Sequence, residues 1–153
     1  MSPGARISAS DEVVLGNGCM MAHGSYITDS DWHGLYDRVN RDVTPKPVRL
    51  GDNVWLGDRS TVLKGVTIGD NSIVAASSVV TKDVPANVIV AGNPAVIVRE
   101  LDEDEPRYTR EDMFRNPTET QAYFDALDKS LLADNSFWRW VIYSLYPRSR
   151  RRQ

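Results

Sequence analysis

The apolar positions of this chain recur every six residues. Leu50, Leu56, Val62, Ile68, Val74 and Val80 form one row, and Val48, Val54, Ser60, Val66, Ser72, Ser78 and Val84 form a second row two positions earlier. A helix buries positions three and four apart and a lone strand alternates at two, so neither explains a fixed step of six. The period is that of a solenoid whose turns stack their inward rows into one core. Gly51-Asp52-Asn53, Gly57-Asp58 and Gly69-Asp70-Asn71 fall between the rows, as corners requiring positive φ would demand. The same pattern reaches back through Ala9, Leu15, Met21 and Ile27, with Ile7, Val13, Cys19 and Ser25 as the companion row.

The step from Ile27 to Leu50 is not a multiple of six, and the intervening stretch carries Trp32, His33, Tyr36, Asp37 and Arg38. A loop that interrupts a regular scaffold is where binding and catalysis concentrate. The expected division is a β-helix domain over 1–101 with this loop at about 28–47, then an acidic linker and helical extension over 102–153. Helices are expected at 109–115, at 117–133 with Pro117 in the first turn, and at 136–146.

Composition narrows the function. A net charge of -3 gives no basic field for nucleic acid. One cysteine excludes an internal disulfide, and the two histidines match no zinc-ligand spacing, so no metal is expected and a cytoplasmic setting is the simplest reading. No apolar run is long enough to span a bilayer. Cys19 falls in an inward row, which makes it core filling rather than a nucleophile, and no Gly-x-Ser-x-Gly elbow is present.

Residues 47–101, PVRLGDNVWLGDRSTVLKGVTIGDNSIVAASSVVTKDVPANVIVAGNPAVIVREL, resemble the hexapeptide-repeat acyltransferases, especially the maltose and galactoside O-acetyltransferase branch. The resemblance implies a mainly β fold, a left-handed parallel β-helix with a C-terminal α-helical appendage, assembled as a homotrimer with acetyl-CoA between subunits. It implies that His33, in the loop Asp29-Ser30-Asp31-Trp32-His33, is the catalytic base. An imidazole can take the proton of an acceptor hydroxyl near neutral pH and return it to the departing thiolate. Ala76, Thr81, Lys82 and Arg99 are the implied cofactor-binding residues, the last two as partners for phosphates. Asp31, Trp32 and Tyr36 are the acceptor-binding candidates.

The sequence departs from that branch at Asp58, where a groove serine is expected, and at Ala75-Ala76-Ser77 in place of Gly-Ala-Gly. His23 falls at a corner of an unbroken coil, where a structural role is expected. The expected function is acetyl-CoA-dependent O-acetylation of a sugar or glycoconjugate. N-acetylation of an aminosugar and a catalytically silent trimeric scaffold remain open. A carbonic anhydrase on the same scaffold would need three zinc-binding histidines. The aromatic stretch Phe137, Trp138, Trp140, Val141, Ile142, Tyr143, Leu145 and Tyr146 precedes Arg148, Arg150, Arg151 and Arg152. It either docks on protein or makes a peripheral contact with the inner membrane surface, where aromatics and basic residues gather.

Overall fold

The computed structural model describes residues 1–39, 44–109, 111–133 and 135–145. The first of two compact units, Met1–Thr109, is a parallel β-helix. Its strands are β1 (Arg6–Ser8), β2 (Val13–Leu15), β3 (Met20–Met21), β4 (Tyr26–Thr28), β5 (Val48–Leu50) and β6 (Trp55–Leu56). They continue as β7 (Thr61–Val62), β8 (Thr67–Ile68), β9 (Ile73–Val74), β10 (Val79–Val80), β11 (Val88–Gly92) and β12 (Ala95–Glu100). They stack into three sheets, in the orders β1-β4-β7-β10, β2-β5-β8 and β12-β11-β9-β6-β3. All pairings are parallel except the closing β11–β12 hairpin.

The register explains the sequence period. Thr61 pairs with Val79, Arg49 with Thr67 and Trp55 with Ile73, so one coil is three hexapeptides. Every third apolar row therefore lands on the same sheet. Ile27, Val62 and Val80 fill one side, Leu50 and Ile68 the second, and Met21, Leu56, Val74 and Val90 the third, all buried. Burying each such side chain contributes about 1.5–3 kcal/mol before chain entropy. The companion row uses Val48 and Val66 on the second side, Val54, Ser72 and Val88 on the third, and Ser25, Ser60 and Ser78 on the first, all buried.

Two end coils depart from the expected phase. Ile7 pairs with Ile27, which places Ile7 in the large row and leaves Ala9 exposed at a widened first corner. At the other end Ile68 bridges Val84, so Val84 moves from the companion row into the large row across a shortened last coil. Corners carry no core, so they absorb two residues more or fewer without disturbing the strands.

Corners are held by side-chain ladders. Asn53, Asn71 and Asn87 adopt positive φ, which asparagine tolerates better than most residues. Asn53 Nδ2 donates to Asn71 Oδ1 at 3.1 Å and Asn71 Nδ2 to Asn87 Oδ1 at 3.2 Å. Beyond the hairpin, Asn87 Nδ2 donates to Glu103 Oε1 and Arg107 donates to Asn87 Oδ1, which ties the acidic segment back onto this corner. The β-helix unit therefore runs to Thr109.

The second unit, Arg110–Gln153, contains α1 (Asp112–Arg115), α2 (Pro117–Leu132) and α3 (Phe137–Leu145). Pro117 starts α2, where its missing N–H costs nothing. Phe137, Trp138, Trp140, Ile142 and Leu145 of α3 are exposed. Tyr146, Arg148, Arg150, Arg151 and Arg152 lie outside the described residues. Among the described residues no helix is long and apolar enough to cross a membrane.

Candidate active site

The chain leaves the helix after β4 and returns before β5, so the loop hangs from one corner. Asp29 holds its base. This carboxylate is fully buried and accepts the backbone N–H groups of Ser10 and Asp11 at 2.7 Å and of Glu12 at 2.9 Å. Burial pushes the carboxyl up, but the backbone donors outweigh it and hold Asp29 below the ordinary carboxylate value. The Asp29 carbonyl accepts the N–H of Lys46 at 2.9 Å, so one residue clips the outgoing chain to the preceding coil and to the returning chain.

Hydroxyl groups shape the next turn. Thr28 Oγ1 donates to the Ser30 carbonyl at 3.0 Å and accepts Trp32 Nε1–H at 3.2 Å, while Ser30 Oγ accepts the Trp32 backbone N–H at 3.2 Å. Those bonds hold Trp32 at φ 64, a left-handed conformation rare for a bulky residue. Its indole stays partly exposed beside the cleft.

His33 follows, exposed to solvent, with Nδ1 2.9 Å from the Arg38 carbonyl oxygen. A carbonyl only accepts, so Nδ1 carries a proton, and the tautomer this contact selects has its lone pair at Nε2. His33 lines an open cleft of about 740 Å³ with Tyr26, Thr28, Asp31, Trp32, Arg38, Leu63 and Lys64 among its walls. Asp31 makes an ion pair with Lys64 across it. Tyr26 packs under Arg6, whose guanidinium lies 4.5 Å from the ring centroid. A hydrogen bond from Ser8, helped by Thr28, Trp32 and the Arg6 charge, lowers the Tyr26 phenol below its usual value despite burial. The cleft thus offers an aromatic wall, mixed charge and a lone pair on one imidazole nitrogen. Such a set can bind a polyol and remove a proton from one of its hydroxyls.

The structure gathers some of the residues singled out from sequence and separates others. Asp31, Trp32 and His33 share the cleft, whereas Tyr36 is fully exposed and lies outside its lining. Ala76 sits at the exposed corner between β9 and β10, Thr81 and Lys82 at the exposed corner after β10, and Arg99 on β12 opposite Ile89. None of the four lines the His33 cleft of the single chain. Asp58 is exposed one coil before Ala76, at the same corner. His23 packs against Gly4 at another corner, with Nδ1 2.6 Å from the Pro3 carbonyl oxygen. Cys19 faces inward, donates to the Gly51 carbonyl, and burial pushes its thiol up, away from thiolate chemistry.

Tyr26 and Lys64 were not singled out by sequence reasoning, and Asp29 and Arg38 were noted in the loop without a role at the site. A signal for Lys64 existed: it precedes Lys82 by one full coil. Asp29 had none beyond its place at the loop's exit, because its partners are backbone groups.

Comparison with known proteins fits this geometry. The family described as bacterial transferase hexapeptide (six repeats) matches residues 47–82. Galactoside O-acetyltransferase of Escherichia coli (strain K12) is 44% identical over 71 residues, which cover 46% of this chain and 35% of that protein. The chain spans about a third of the length of the curated relatives it matches. A solved galactoside acetyltransferase in complex with coenzyme A superposes with a TM-score of 0.58 at 28% identity, covering 70% of this chain and 62% of that one. A maltose O-acetyltransferase from Clostridium difficile 630 superposes with a TM-score of 0.51 at 27% identity, covering 67% and 66% respectively. Over residues 47–82 the chain carries bacterial transferase hexapeptide repeats, and it is similar to the galactoside and maltose O-acetyltransferases.

Proposed function

We propose that this chain is an acetyl-CoA-dependent O-acetyltransferase that acetylates a hydroxyl of a sugar or glycoconjugate by direct general-base catalysis. The observation that carries the reading is the Nδ1 contact of His33 with the Arg38 carbonyl, which leaves Nε2 as the proton acceptor at the cleft. His33 Nε2 takes the acceptor's hydroxyl proton as that oxygen bonds to the thioester carbonyl carbon. The tetrahedral intermediate then collapses with cleavage of the carbon–sulfur bond, and the same proton passes from Nε2 to the CoA thiolate. Trp32 and Asp31 contact the acceptor, and Tyr36 reaches it from the exposed part of the loop.

Acetyl-CoA is the donor, held by Ala76, Thr81, Lys82 and Arg99. These residues lie outside the His33 cleft of the same chain. That separation supports a homotrimer in which one subunit's base meets a neighbour's donor groups. The helix is left-handed, as its family resemblance implies, against the general preference for right-handed parallel connections. The setting is cytoplasmic. The exposed α3 aromatics stand in a segment, 136–153, with five arginines and no acidic residue, which favours a peripheral contact with the inner membrane surface.

A screen of neutral and acidic sugars, aminosugars and glycolipid precursors with acetyl-CoA, following free thiol release, tests the assignment. An alkali-labile ester product supports O-acetylation. A stable amide product would instead identify an aminosugar N-acetyltransferase, and no release with any acceptor would favour a silent scaffold.

A further inference from the structure

Lys46, Lys64 and Lys82 are separated by 18 residues each, the length of one coil fixed by the pairing of Arg49 with Thr67 and of Val62 with Val80. Gly65 donates its N–H to the Lys46 carbonyl, so the register continues through this corner between the coils of Lys46 and Lys64, whereas the next coil loses two residues between Val80 and Val84. Lys46 and Lys64 therefore stand one beside the other on successive coils, about 5 Å apart along the axis.

The same hexapeptide position carries different residues at the other corners. Asp52 and Asp70 occupy one of them, where their carboxylates accept the N–H groups of Asn17 and Asp52 from the preceding coil. Ala76 and Asp58 occupy the other. The aspartates have a structural task. The lysines form no ladder, and like charges stacked at this spacing repel one another. Among the described residues, Lys64 pairs with Asp31 and no ion pair involves Lys46 or Lys82. The other acid nearby, Asp83, is engaged with the N–H of Thr67. The stem of Lys46 lies across Gly65, where a side chain would meet its Cδ at 3.1 Å. Gly65 has φ +77 and no side chain, which leaves room for that stem beside the next coil's corner. Lys64 itself lines the His33 cleft, as does Arg38.

We infer that Lys46 and Lys64 form an anion subsite beside His33 that takes a carboxylate or phosphate on the acceptor, so that the enzyme's acceptor is an acidic sugar. This deepens the reading of the His33 cleft as the acceptor site and rests on it. An acceptor anion exchanges with Asp31 at Lys64, and Lys46 supplies the second charge one coil away. Lys82, a further coil along, remains with the phosphates of the donor.

Calorimetric binding to the full-length protein tests the inference without turnover. Galacturonic acid and glucose 6-phosphate represent the two anion classes, galactose the neutral control and CoA the donor. The acidic sugars should bind about tenfold or more tighter than galactose, the scale of one charge-assisted contact, and rising salt should erode the difference. The double variant Lys46→Gln, Lys64→Gln should lose that preference while keeping its affinity for CoA. Lys129→Gln on α2, which removes the same kind of charge elsewhere, should keep it. Equal binding of acidic and neutral sugars, no binding of either acidic sugar, or a preference that survives the double substitution would overturn the inference. Loss of CoA binding alone would also overturn it, by assigning the two lysines to the donor's phosphates. The preference should persist in His33→Ala, so failure of the base assignment and failure of the anion subsite give different results.

Discussion

Replacing Asp29 by alanine should destabilise the β-helix far more than its distance from the large apolar rows suggests. The native carboxylate accepts three backbone N–H groups at 2.7, 2.7 and 2.9 Å while fully buried. Hydrogen bonds to a charged acceptor contribute about 1.5–3 kcal/mol each. Ser10 and Asp11 are exposed, so water replaces part of what they lose. The expected loss is therefore about 3–4 kcal/mol, a large share of the roughly 5–15 kcal/mol that stabilises a typical domain. The sign of the pH dependence follows from the same contacts. The folded-state value of Asp29 lies below its unfolded one, so its contribution is fully present above the unfolded value, about 3.9, and is lost as pH falls through the folded value. Urea unfolding at pH 7 should show the full gap between wild type and Asp29→Ala, and the gap should narrow as pH falls below about 4. Hydrogen exchange should report lost protection at residues 10–12 specifically. A gap under about 1 kcal/mol at pH 7, or one that stays constant into the acid range, would refute this account of the loop anchor.

Other substitutions read other parts of the structure. Ser60 Oγ is buried with no hydrogen-bond partner among the described residues, so Ser60→Ala should leave stability unchanged or raise it by up to about 1 kcal/mol in thermal or urea unfolding. Asn71→Ala removes two rungs of the asparagine ladder and puts alanine at φ 59, and should cost about 2–3 kcal/mol, with Asn71→Gly recovering the backbone part. Lys82→Ala and Arg99→Ala should each raise the Kd for CoA by roughly tenfold. Dephospho-CoA or a truncated thioester should lose less, and equal losses for all donors would contradict a phosphate contact.

Much of the fold was legible because a period of six with paired rows admits few architectures. Leu50 to Val80 keep one phase through the uninterrupted coils, and every member is buried where the period placed it. The phase failed at Ile7, Ala9 and Val84, because end corners gain or lose residues without touching the core, and periodicity carries no information across such a slip. The helix boundaries of the second unit followed Pro117 and the aromatic run closely. That His33 and Trp32 would share a cleft was legible because they stand close together in a loop that interrupts the repeat. Asp29 and Tyr26 were hidden for opposite reasons: one bonds only to backbone, and the other occupies an outward strand position that the repeat leaves free. Lys64 required the coil length, which emerges from strand register and not from a single hexapeptide.

The central claim is that His33 Nε2 is the base for acetyl transfer, and the direct measurement is kcat for His33→Ala against wild type with the best acceptor from the thiol-release screen. Loss of a general base predicts a fall of roughly 10² or more with little change in CoA affinity or in the unfolding curve, whereas His23→Ala should turn over like wild type. Near-wild-type kcat in His33→Ala would contradict the mechanism outright.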